Sequence, residues 1–174
     1  MSWRSALLAA VVALSAAGCQ VRPLYLDAAT SGPRSPQPDL MAITIDHPRD
    51  RTEQVLTNEL KFLFRGDGSK VADARYRLRI LTDYSDDNLA VELEEDLPAA
   101  VLITLNGTFI LSELGSERTL LTGASTATAS YDFSSQRFAN VRAEKDALER
   151  AARTMAENIA ARIAAYFAAK RSAS

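Results

Sequence analysis

The sequence predicts an α+β domain with the element order β-α-β-β-β-α, set behind an export leader. Two periodicities carry that prediction. Over residues 75–132 apolar residues recur at alternate positions in successive runs, the spacing of half-buried strands. After Phe138 they recur at three- and four-residue intervals, the spacing of a long amphipathic helix. The third observation is size. The chain has 174 residues, and removal of a leader leaves enough for one domain that buries roughly 70% of its unfolded surface. Nothing in the pattern demands a second domain.

The leader is residues 1–18. Arg4 supplies a basic start, and Ala6 to Ala17 is an almost unbroken run of Ala, Leu and Val. A spanning helix needs about 20 apolar residues, so this run is too short to cross a bilayer and reads as a secretory signal. Ala16, Ala17 and Gly18 are small, as a signal peptidase requires, and the chain's one cysteine, Cys19, follows directly. That arrangement resembles the lipobox of bacterial lipoproteins, with Ala16 where the motif usually has Leu. Acyl chains on Cys19, at about 0.8 kcal/mol per buried CH₂, would anchor the domain to a membrane. Gln20 stands where many lipoproteins carry the Asp read as an inner-membrane retention signal, which favours the outer membrane. With a single cysteine no intrachain disulfide is possible, and a Cys–His pair would have to use the only histidine, His47.

Residues 19–39 are expected to be the lipidated cysteine and a tether. "DAATSGPRSPQPD" carries Pro33, Pro36 and Pro38 and shows no apolar periodicity. The domain is expected over residues 40–170. In "LMAITID", Met41, Ile43 and Ile45 alternate with smaller or polar residues, predicting a strand over 40–46 that His47-Pro48 ends. Asp50 and Glu53 have capping-box spacing, and Val55, Leu56, Leu60, Leu63 and Phe64 share one helical face before Gly66, predicting a helix over Arg51 to Arg65.

Strand-like runs follow. In "ARYRLRILTDY", Tyr76, Leu78 and Ile80 alternate with Arg75, Arg77 and Arg79; in "NLAVELEED", Leu89, Val91 and Leu93 alternate with Ala90, Glu92 and Glu94. "AAVLITLNGTFILSEL" and the Ser- and Thr-rich "RTLLTGASTATASYDF" continue the pattern, and an antiparallel meander is the economical reading. The last helix places Leu148, Ala151, Ala152, Met155, Ile159, Ile163, Tyr166 and Phe167 on one stripe. Arg142 with Asp146, Asp146 with Arg150, and Glu149 with Arg153 fall on the wet face at i,i+4. A stripe of Leu, Ile, Met and Ala with mixed charges opposite is the side of a helix packed on a sheet, not a membrane-surface helix.

Two readings of the arginine row stay open. Arg75, Arg77 and Arg79 could face Glu92 and Glu94 across neighbouring strands, at about 0.2–1 kcal/mol per pair. They could instead form a patch for phosphates or other anions, which guanidinium groups hold in bidentate fashion.

"CQVRPLY" from Cys19 and "SYDFSSQRFANVRAEKDALERAARTMAENIAARI" from Ser130 to Ile163 resemble the LptE family of lipopolysaccharide-assembly lipoproteins, as does the element order throughout the chain after the leader. The resemblance implies a two-layer sandwich, a four-stranded and mostly antiparallel sheet with two helices on one face. It implies a non-enzymatic outer-membrane lipoprotein, held to the periplasmic side by Cys19 and seated as plug and assembly partner in the β-barrel protein LptD. It also implies contact with lipopolysaccharide on its way to the cell surface, for which Arg75, Arg77 and Arg79 are the candidate residues. The alternative is an auxiliary lipoprotein of another envelope lipid-transport system.

Other function classes find little support. A net charge of −2 lacks the basic excess of a nucleic-acid binder. Asp83, Asp86 and Asp87, or Glu92, Glu94, Glu95 and Asp96, are rich in carboxylates, but they come without a His cluster, a Gly-rich phosphate loop or metal-ligand spacing and read as solvated turns. No catalytic residue, cofactor or metal is expected.

Overall fold

The computed structural model describes residues 37–66, 71, 73–92 and 97–173. Cys19 and the leader lie outside them. A short helical turn, α1 (Gln37–Met41), precedes the first strand, β1 (Ile43–Ile45); helix α2 (Arg51–Arg65), strands β2 (Tyr76–Glu92), β3 (Leu97–Glu113) and β4 (Thr119–Asp132), and helix α3 (Arg137–Ser172) follow. The sheet has the order β1-β2-β3-β4. β1 runs parallel to β2, and the other two pairs are antiparallel. The expected α+β class, the mostly antiparallel sheet and the two principal helices are all present.

Helix α2 begins and ends where its sequence says. The Asp50 carboxylate accepts a hydrogen bond from the Glu53 amide at 2.8 Å, and Gly66, at φ 79°, closes the helix with its amide on the Phe62 carbonyl. The second half of a capping box is absent, because the Glu53 side chain turns to Arg49 instead. Leu56, Leu60 and Phe64 are fully buried, with Val55 and Leu63 packed beside them.

Helix α3 buries the expected stripe through Met155, Ile159, Ile163 and Phe167, and the stripe also holds Ala147, Ala151, Ala152, Ala156, Ala160 and Ala164. Side chains this small let α3 approach both α2 and the sheet. The sheet answers with its own small residues. A Cβ on Gly107 would stand 2.6 Å from Met155 Sδ, and one on Gly123 would stand 2.6 Å from Phe109 Cζ across the β3–β4 ladder. Those two glycines leave the space that Met155 and Phe109 fill. On the wet face Arg150 meets Asp146 and Arg153 meets Glu149, two of the expected i,i+4 pairs.

The structure departs from the sequence expectation in two places. Leu40 and Met41 belong to α1, so the strand predicted over 40–46 contracts to Ile43–Ile45, and α1 takes in Gln37, Pro38 and Asp39 from the segment read as tether. Secondly, "ARYRLRILTDY" and the start of "NLAVELEED" form one continuous strand. Asp83, Asp86 and Asp87 are therefore not in a turn; they pair in register with Asn106, Ile103 and Leu102 of β3. Three acidic residues in six suggest a turn locally, but a ladder without interruption from Tyr76 to Asn88 overrides that preference. At roughly 3.3 Å per residue the 17 residues of β2 and of β3 make a long hairpin, matched by the 36 residues of α3. Among the described residues no helix is long and apolar enough to cross a membrane.

Candidate functional site

Because β2 alternates, Tyr76 and Leu78 face the helices and Arg77 and Arg79 face the opposite, open side of the sheet. That side is polar over much of its extent: Thr104, Asn106, Thr108 and Ser112 come from β3, and Thr122, Thr126 and Thr128 from β4. β1 places Asp46 beside β2, where its amide donates to the Leu78 carbonyl at 3.0 Å. The Asp46 carboxylate then lies 3.3 Å from Arg79 Nε and 3.8 Å from Arg77 Nε. The two guanidinium groups are half exposed, share one carboxylate, and line a cavity of about 240 Å³ together with Leu114, Gly115 and Glu117 of the β3–β4 turn.

The expected row is divided. Arg75 leaves its neighbours and turns to the edge of the domain, where Nη2 donates to Asp39 Oδ1 at 3.0 Å and the guanidinium carbon lies 5.4 Å from the centre of the Tyr76 ring. Asp39 is buried and takes three partners. Besides Arg75 it accepts from the Tyr76 hydroxyl at 3.3 Å and from Arg171 Nε at 2.8 Å. One carboxylate thus joins α1, the start of β2 and the end of α3. Burial, reinforced by the Asp39 charge, pushes the Tyr76 hydroxyl above its ordinary pKa.

Cross-strand pairing of the arginines with Glu92 is excluded for a topological reason, and Glu94 lies outside the described residues. Arg77 and Glu92 belong to the same strand, fifteen positions apart, so their backbones are separated by roughly 50 Å. The partner is Asp46 instead. Its place on the arginine face follows from β1 running parallel to β2, a pairing that strand periodicity alone does not reveal. Asp39 had no local signal at all, since its partner Arg171 is 132 residues away.

A second buried acid braces the start of α2. Glu53 accepts from the Arg49 amide at 2.7 Å and Arg49 Nε at 3.0 Å, and from Thr82 Oγ1 at 3.2 Å. Burial pushes the Glu53 carboxyl up, but the hydrogen bonds from Arg49 and Thr82 outweigh it, and the group titrates below its usual range. All its partners are accounted for within the fold, so Glu53 reads as a brace. Among the described residues no group of His, Cys, Asp and Glu could hold a metal ion.

Residues 40–163 match the family model described as LptE, lipopolysaccharide-assembly. Two solved structures share the fold. A lipoprotein from Caulobacter crescentus CB15 superposes with a TM-score of 0.61 at 19% identity, over 77% of this chain and 96% of its own. Rare lipoprotein B from Shewanella oneidensis superposes with a TM-score of 0.54 at 13% identity, over 71% of this chain and 92% of its own. No curated protein matches the chain significantly.

Proposed function

The chain belongs to the LptE lipopolysaccharide-assembly family, and from that premise we propose that it is an outer-membrane lipoprotein, acylated at Cys19, that plugs and helps assemble an LptD-like β-barrel and aids delivery of lipopolysaccharide to the cell surface. The observation that carries this reading is the family match over residues 40–163, which runs from α1 through most of α3. A structural and binding role suits the chemistry of the domain: among the described residues the buried acids, Asp39 and Glu53, hold elements together.

The membrane end follows from the same reading. α1, the β3–β4 turn and the last turn of α3 share one end of the molecule, where the Leu114 amide donates to the Arg75 carbonyl and Arg171 meets Asp39. A tether from a lipidated Cys19 would join the domain at that end, since α1 is its first described element. Replacing Cys19 with Ala is expected to leave the protein in the soluble periplasmic fraction when no barrel partner is expressed. Affinity purification of the acylated protein is expected to bring down a large outer-membrane barrel. Recovery of an inner-membrane transporter complex in its place would assign the chain to another lipid-transport system.

Arg77 and Arg79 are the residues proposed to meet the anionic groups of lipopolysaccharide, as two adjacent guanidinium groups on an open face. Their hold on Asp46 is an exposed pair and contributes little, about 0–1 kcal/mol. Changing both to Gln is therefore expected to weaken lipopolysaccharide binding severalfold while moving the melting temperature by only a few degrees, about 4 °C at most. Asp46→Asn, which removes the competing carboxylate, is expected to strengthen binding. An affinity that neither change alters would remove the arginines from the lipid site.

A further inference from the structure

The two outer edges of the sheet are finished differently. β4 forms one, and α3 reaches over it: Arg150 Nη2 donates to the Ser130 carbonyl at 2.8 Å, and Arg162 Nη1 donates to the Ala124 carbonyl. Outward carbonyls of an edge strand are the groups through which it would recruit another strand, and here two of them are taken.

The outer edge of β2 begins covered and ends bare. The Tyr76 amide donates to the Ala42 carbonyl, and the Leu78 carbonyl accepts from the Asp46 amide, so the backbone groups of the even-numbered residues of β2 point away from β3. The connection from β1 to α2 then covers Ile80, and Arg49 Nη2 reaches the Thr82 carbonyl at 3.4 Å. Past that point Asp83 to Leu89 are all exposed, and no strand among the described residues lies on this side. The ladder to β3 has no bulge before Asn88, so the alternation persists, and the outward N–H and C=O groups belong to Tyr84, Asp86 and Asn88.

We propose that this edge takes an extended segment of a partner protein as a fifth strand, one that alternates apolar with basic residues. The phase of β2 points to that chemistry at Tyr84, Asp83 and Asp87, while Asp86, which follows Tyr84 on the helix side, suits a small or polar residue. Side chains paired across strands lie on the same face of a sheet. The residue opposite Tyr84 therefore rises on the helix side, beside a groove of about 660 Å³ that Tyr84, Val141 and Leu148 line together with charged residues at the start of α2 and along α3. Tyr84 and Val141 are 46% and 43% exposed, so an apolar side chain there removes surface that the fold itself leaves wet. Residues on the other phase lie on the open face against Asp83 and Asp87, where Lys or Arg is favoured. A second copy of this chain is a poor occupant. Antiparallel self-pairing about Ser85 would set Asp83 of one copy against Asp87 of the other, and like charges directly opposite are destabilising.

The probe is a short synthetic peptide alternating valine and lysine, compared with one alternating valine and glutamate, each added to the full-length protein. The lysine peptide is expected to slow amide exchange at Tyr84, Asp86 and Asn88 by about tenfold, and to leave Asp83, Ser85 and Asp87, whose amides face β3, unchanged. Asp86→Pro removes one outward N–H and no bond of the existing sheet, and is expected to lower the peptide's affinity by roughly three- to tenfold. The double variant Asp83→Lys, Asp87→Lys, which alters no backbone group, is expected to reverse the preference in favour of the glutamate peptide and keeps the test standing if Pro disturbs the strand. Unchanged exchange at the three amides, or a charge reversal that leaves the peptide preference as it was, would overturn the proposal. So would slowed exchange at the same amides on raising protein concentration alone, which would give the edge to a second copy.

Discussion

Ile159→Asp is expected to leave little folded protein. Ile159 is fully buried on the α3 stripe, in the one cluster that also holds Leu60 and Phe64 of α2 and Leu105 and Phe109 of β3. An aspartate there must either keep its charge without a partner or take up a proton, and in both cases it also gives up the apolar contacts of Ile. The cost is several kcal/mol, against a total stability of about 5–15 kcal/mol for a domain of this kind. Glu157 lies on the exposed side of the same helix. Glu157→Ala is expected to shift the melting temperature by no more than about 2 °C, because surface changes stay within about 0.5 kcal/mol. Circular dichroism melts of the two variants make the comparison, and similar transitions for both would mean that α3 does not pack by this face.

Asp39→Ala is expected to have the next largest effect, about 2 kcal/mol, or roughly 6 °C in melting temperature. Asp39 is only 7% exposed and its carboxylate serves Arg75, Tyr76 and Arg171 together, so its loss leaves the Tyr76 hydroxyl buried without that acceptor and releases α1 from the end of α3. Arg75 makes a useful contrast. Its side chain is 54% exposed, and a guanidinium that water can reach contributes less, so Arg75→Gln is expected to cost about 0.5 kcal/mol. Urea melts of the two single variants and the double variant give the coupling. A stable Asp39→Ala protein would show that the apolar contacts of Leu40 and the backbone bonds around it hold α1 without the carboxylate.

Much of the fold was legible because it is local. The Asp50 cap, the Leu56–Leu60–Phe64 face and the Gly66 stop lie within a single helix, and the three- and four-residue stripe of α3 is visible without knowing what it packs on. The strand alternation of β2 and β3 was equally plain as far as Ile80 and from Val101 onward. The arginine site was half legible. Period two correctly puts Arg77 and Arg79 on one face, but it says nothing about which strand lies alongside.

The sequence by itself determined the two principal helices with their buried faces and the strand character of the chain between them, since propensity, capping and periodicity act over a few residues. Only the tertiary structure decided that one strand runs through Asp83, Asp86 and Asp87, because backbone pairing with a long partner outweighs a local preference for a turn. It alone brought Asp46 to Arg77 and Arg79, through a parallel pairing made after a helical crossover, and Asp39 to Arg171 across almost the whole chain. The same is true of the two edges, one closed by Arg150 and Arg162 and one left bare beyond Thr82. Which backbone groups remain unpaired depends on where a neighbouring strand stops, and β1 stops at Ile45 because its chain is needed to turn into α2.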